Sequence, residues 1–300
     1  MKYILCLLCL LLYGQSASSQ DLDSLNGKMI GTWELVNYLS TNNGTGNESP
    51  DKIKRTRVIT PSHFTLTLYN PETGQMIGNV TGSYFLSAGR KENKSQSDGT
   101  YQTNEINLMG DITAQEKAIS VTQGMESLSE KTFVKSVTID EGDRLIYTWI
   151  SNDVKYTEIW TRAVAEPVAK PFSGNTSLSQ KIVGAWDLLK FDYGHGKTSD
   201  QLKGKFRRLK LYNGSSYTVT DINTNTYMTN TAFLGNYALT KNSSIKGNYQ
   251  EDRFPVSNTI PKQAENRFTA SVFIDAEDQL HIEWMSEGIK SSEVWIRLKK

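Results

Sequence analysis

Through much of this chain, apolar and polar residues alternate one by one, the two-residue period of a half-buried strand. The clearest case is Phe64-Thr65-Leu66-Thr67-Leu68, three large apolar side chains against two threonines. This pattern predicts strands over Thr32–Leu39, Ile53–Thr60, Phe64–Tyr69, Gly82–Ser87 and Thr100–Leu108. A three-strand meander follows over Phe133–Ile139, Leu145–Ser151 and Val154–Arg162, and again over Phe268–Ile274, Gln279–Ser286 and Ile289–Leu298. Pro61-Ser62, Asn70-Pro71-Glu72-Thr73-Gly74 and Asp140-Glu141-Gly142-Asp143 supply turns between them. Gly110–Thr132 shows no clear period. Helical spacing appears only in two short stretches, Asp21–Met29, with Leu22, Leu25 and Met29, and Thr176–Ile182. Many short strands at even spacing with no long helix predict a sandwich or an up-and-down barrel. A closed barrel leaves no strand edge unpaired.

The pattern occurs twice. Ile30-Gly31-Thr32-Trp33-Glu34-Leu35 is echoed by Val183-Gly184-Ala185-Trp186-Asp187-Leu188, an offset of 153 that also joins Lys52 to Lys205, Arg55 to Arg208 and Tyr84 to Tyr237. The offset becomes 148 at Gly99/Gly247 and Tyr101/Tyr249, then 135 from Phe133/Phe268 to Arg162/Arg297. On this alignment repeat two loses 18 residues in two steps, both in polar stretches that tolerate deletion. The expected organisation is a signal segment over 1–20, a domain over 21–165, a proline-bearing linker over 166–173 and a second domain over 174–300.

These residues resemble a lipocalin-type module. Gly31 and Trp33 with Arg162, and Gly184 and Trp186 with Arg297, look like the Gly-x-Trp opening and late arginine of that family. Ile59-Thr60-Pro61-Ser62-His63-Phe64 and the closing Glu-x-Trp-x-Arg, with Trp160 and Trp295, are similar to short secreted lipocalin-like domains of bacteria. The resemblance implies two tandem antiparallel barrels and the binding of a small apolar or amphipathic molecule. Ser216-Tyr217 stands where repeat one has His63-Phe64, so any role of His63 is confined to one domain. In a closed sheet the first and last strands are neighbours. Each arginine is then expected over its tryptophan ring, a cation–π contact worth on the order of 0.5–2 kcal/mol.

Lys2, the apolar run Ile4–Leu12 and Ser16-Ala17-Ser18 read as a secretory signal, so an exported protein, periplasmic or extracellular, is expected. Cys6 and Cys9 both lie in that segment, which leaves the remainder without a thiol or a disulfide. Of 33 Lys and Arg and 32 Asp and Glu, the segment holds only Lys2, so the rest is neutral. Nothing in that balance asks for a nucleic-acid partner, and the apolar run is too short to span a membrane.

Two basic clusters recur at matched places, Lys52, Lys54, Arg55 and Arg57, then Lys205, Arg207, Arg208 and Lys210. Arg55 and Arg208 are the candidate anion clamps, because a guanidinium binds carboxylate or phosphate through two donors. The simpler reading of the same residues is a solvated strand face, or an edge charged against aggregation. Tyr84, Tyr101, Tyr237 and Tyr249 either line a cavity or fill it. The three histidines, His63, His195 and His281, are not spaced as metal ligands, and no catalytic or phosphate-cradling motif occurs. No cofactor is expected. The reading is a non-catalytic barrel that binds a small molecule; the alternative is a filled barrel that meets a macromolecule through its loops.

Overall fold

The computed structural model describes residues 21–41, 53–88, 112–122, 125, 132–151, 154–163, 176–194, 204–242, 246–257 and 266–299. A short helix, α1 (21–29), leads into eight strands: β1 (Gly31–Ser40), β2 (Lys54–Ile59), β3 (His63–Tyr69), β4 (Met76–Ala88), β5 (Ile112–Val121), β6 (Thr132–Ile139), β7 (Leu145–Ser151) and β8 (Val154–Arg162). Each pairs antiparallel with the next, and β8 returns to β1, so the sheet closes into a barrel. A second helix, α2 (Thr176–Ile182), opens the second barrel. Its strands are β9 (Gly184–Asp192), β10 (Phe206–Tyr212), β11 (Ser216–Asn223), β12 (Thr229–Asn242), β13 (Lys246–Ser257), β14 (Asn266–Ile274), β15 (Gln279–Ser286) and β16 (Ile289–Arg297). β9 lies between β10 and β16, which closes this sheet too. The fold is all-β, two tandem up-and-down barrels each preceded by a helical turn.

The closed end of each barrel is built the same way. Trp33 is fully buried, and its indole N–H donates to Met29 O at 2.8 Å; Trp186 does the same to Ile182 O. The Arg162 guanidinium sits 4.2 Å from the Trp33 ring and Arg297 4.1 Å from that of Trp186. Arg162 also donates to Lys28 O and Ile30 O, so it caps the carbonyls that end α1. Its Nε meets Asp143 at 2.6 Å, and Arg297 meets Asp278 at 2.7 Å. Both aspartates sit at left-handed turn positions, φ 53° and 58°. Gly31 and Gly184 are needed at this crossing: a Cβ there would stand 2.6 or 2.7 Å from the arginine.

Strand register corrects two readings of the repeat. Tyr249 faces Leu239 and Ala270, whose counterparts are Leu86 and Lys135, and both of those face Ala114. Tyr249 therefore corresponds to Ala114, not to Tyr101. The 135 offset already holds in β5, so the length difference is a single step between β4 and β5 rather than two. The fifth strand of the first barrel is β5, inside the stretch that showed no period. The expected strand Thr100–Leu108, like residues 1–20 and the 166–173 linker, lies outside the described residues.

Three apolar clusters form. One lies inside each barrel, and a third lies between them, made of Val58 from the first and Ala185, Leu209, Leu211 and Ile222 from the second. Around it runs a set of buried hydroxyls. Thr218 donates to Thr65 at 3.1 Å, Thr81 and Thr220 meet at 2.9 Å, and Asn213 donates to Thr32 at 2.8 Å. The threonine face of β3 is thus buried, not wet: Thr65 is met across the seam by Thr218, and Thr67 by Asn79 of its own barrel. Thr65 and Thr218 are the same position of the repeat, so matching faces of the two barrels are pressed together.

Candidate functional site

Successive residues of a strand point to opposite faces. On β2, Ile59 is in the core, so Arg57 and Arg55 share its inward face. On β8, Trp160 is in the core, and Glu158 and Tyr156 follow it inward. The interior of the first barrel consequently changes character from the α1 end to the far end, the mouth.

Half-way along lies an ionic layer. Arg57, 1% exposed, makes a two-pronged contact with Glu116, 2.5 Å and 3.2 Å. Lys135 Nζ is 3.3 Å from Glu116 and 3.8 Å from Glu158. Two cations and two anions balance, as burial demands. The Arg57 guanidinium is also stacked among Tyr147, Phe64 and Trp160, 4.7–5.5 Å from their ring centroids. Burial drives the Glu116 carboxyl up, but Arg57 and Lys135 outweigh it and hold it at about 2. Burial also works against the Arg57 charge; Glu116 outweighs that in turn, and the guanidinium is held above its ordinary range.

Toward the mouth the lining turns aromatic. Tyr38, Trp149 and Tyr156 form a half-buried triangle with centroids 5.4–6.2 Å apart. Lys135 lies 4.8 Å from the Trp149 centroid and Arg55 5.7 Å from that of Tyr38. The first barrel thus has an aromatic wall above a charged floor.

The second barrel uses the same positions differently. Lys210 replaces Arg57. Its Nζ is 4.8–5.9 Å from the rings of Tyr217, Tyr212, Tyr249 and Trp295. Tyr212 and Tyr249 meet hydroxyl to hydroxyl at 3.1 Å. At its mouth Arg208 grips Asp221 with two donors, and its third nitrogen donates to the Tyr193 hydroxyl at 2.7 Å. That hydroxyl donates in turn to Glu293 at 2.7 Å. Burial, then Glu293, pushes the Tyr193 phenol upward.

The sequence candidates therefore separate. Arg55 and Arg208 both face inward near a mouth, Arg208 gripping Asp221 and Arg55 lying by the Tyr38 ring. Tyr84 is at the closed end, its hydroxyl 2.7 Å from the Asn26 amide oxygen and 2.8 Å from Thr60 O, so it ties α1 to the barrel and lines no mouth. Tyr237 and Tyr249 help fill the second barrel. Tyr101 and His195 lie outside the described residues. Trp160 and Trp295 are core residues, each donating to the glutamate two positions earlier.

Arg57, Glu116, Lys135 and Glu158 were not singled out by sequence reasoning. The available signal was the position of Arg57, two residues before core Ile59. His63 is buried at the seam, 2.8 Å from Ser62 Oγ, and burial, aided by Arg207, lowers it to about 4. His281 stacks on Phe273 and meets Asp275 at 2.6 Å. Among the described residues no three His, Cys, Asp or Glu side chains gather into a metal-binding group, and no helix is long and apolar enough to cross a membrane.

No protein-family model matches the chain, and no curated protein does. The closed eight-stranded barrels agree with a lipocalin-like architecture.

Proposed function

We propose that this is an exported, non-catalytic binding protein of lipocalin-like type that holds a small amphipathic molecule in the mouth of its first barrel. The observation that carries the reading is the Tyr38–Trp149–Tyr156 triangle standing above the Arg57–Glu116–Lys135–Glu158 layer. Aromatic faces take up apolar surface, and fixed charges orient a polar end. The second barrel supports the alternative reading for itself: its interior is packed with four tyrosines and its mouth is tied by its own side chains. It serves as a filled partner against which the first barrel is braced.

The test is fluorescence titration with 1-anilinonaphthalene-8-sulfonate, with mass spectrometry of compounds extracted from the native protein. One probe molecule per chain is expected, with binding lost in Trp149→Ala and retained in Trp284→Ala. Absence of both probe binding and an extractable compound overturns the reading.

A further inference from the structure

We infer that the molecule held by the first barrel presents a hydroxyl on an aromatic ring to Glu158, and that Tyr193 is the second barrel's built-in equivalent of that group. This rests on the binding role proposed above and narrows it to a ligand class.

The two mouths stand on matched positions: Phe191 for Tyr38, Trp284 for Trp149 and Glu293 for Glu158. In the second barrel Tyr193 occupies this space. Its ring stacks on Phe191 at 4.4 Å and 25°, and lies 5.8 Å from Trp284. Its oxygen both donates to Glu293 and accepts from Arg208, each at 2.7 Å. A phenol suits such a pair because a single oxygen gives one hydrogen and keeps lone pairs. A carboxylate would repel Glu293, and an ammonium would repel Arg208.

In the first barrel the cross-strand pair is reversed. Ser40 and Tyr156 face each other where the second barrel has Tyr193 and Ser291. Tyr156 does not repeat the Tyr193 contact: it lies nearly flat against Trp149, 5.4 Å and 17°, thickening the wall. Glu293 uses both oxygens, one for Trp295 and one for Tyr193. Glu158 uses one, which takes both Trp160 Nε1 and Lys135 Nζ. Among the described residues no donor meets its other oxygen. Lys135, absent from the second barrel where Ala270 replaces it, supplies the neighbouring cation. An aryl hydroxyl laid against the Tyr38–Trp149 wall would find in Glu158 and Lys135 the acceptor and cation that Tyr193 finds in Glu293 and Arg208.

The experiment compares 2-naphthol with 2-methoxynaphthalene and 2-methylnaphthalene by calorimetric titration of the full chain. The expected result is one site, with 2-naphthol favoured by about tenfold over either analogue, the worth of one hydrogen bond to a charged group. Glu158→Gln is expected to shrink that preference. Tyr193→Ala is expected to add a second equivalent of bound 2-naphthol and to be raised in melting temperature by phenol, which leaves the unmodified protein unchanged. If all three naphthalenes bind equally, the hydroxyl inference is overturned while the binding role stands. If none binds, the binding role itself falls.

Discussion

The two barrels are alike where they are closed and unlike where they are open. At the closed ends the same tryptophan, arginine, glycine and turn aspartate recur with contacts that agree within about 0.1 Å for the ring stacking and the ion pair. Within the walls the exchanges are Arg57 for Lys210, Lys135 for Ala270, Leu68 for Asp221 and Tyr156 for Ser291. Closing a barrel constrains geometry at one end and leaves the other free. One copy carries a second buried cation, Lys135, beside its acids; the other has Ala270 there and an interior crowded with tyrosines.

The largest effect should come from that exchange. Glu116→Ala leaves Arg57 and Lys135 buried beside a single acid, and is expected to cost about 3–5 kcal/mol in urea unfolding. Next, Gly31→Ala and Gly184→Ala should each lower stability by about 1–3 kcal/mol, because each Cβ meets an arginine in a strained backbone. Since the latches match, the two drops should match, and a twofold difference in melting shift would show that the closed ends are not equivalent.

A smaller effect separates His63 from Ser216, the residue in its place in the second repeat. His63 is lowered from 6.5 to about 4 in the fold, so the unfolded chain takes up the proton first. Stability should therefore fall as pH drops from about 6.5 to about 4. Glu116, lowered to about 2, adds stability above about 4.5 that is lost as pH falls from there toward 2. Melting curves across pH should show both windows, and His63→Ser should flatten only the upper one.

Much of the fold could be read from alternation. The Phe64–Leu68 pattern, the twin Gly-x-Trp openings and the closing Glu-x-Trp-x-Arg strands all reappear as strands of closed sheets. β5 could not be read that way, because the inward residues at its centre are Ala114, Glu116 and Ala118: two small and one charged give no apolar period. The site was hidden for a related reason. Arg57 was one of four basic residues in a cluster, and identity between repeats favoured Arg55 with Arg208 instead. Its place two residues before Ile59 put Arg57 on the inward face, but its partner Glu116 lies 59 residues away in the chain, and no local pattern carries that distance. Alternation also reports polarity rather than exposure, which is why the threonines of β3 gave no sign that a second barrel covers them.

That covering has an evolutionary reach. Because Thr65 rests on Thr218, the chain joins its halves much as two identical subunits would meet about a symmetry axis. In a symmetric pair one substitution alters both sides at once. Once the copies share a polypeptide, each can drift alone while the other preserves the fit. His63 opposite a seam whose matching position is Ser216 records that independence, and so does Tyr193 at the second mouth, where the first repeat has Ser40.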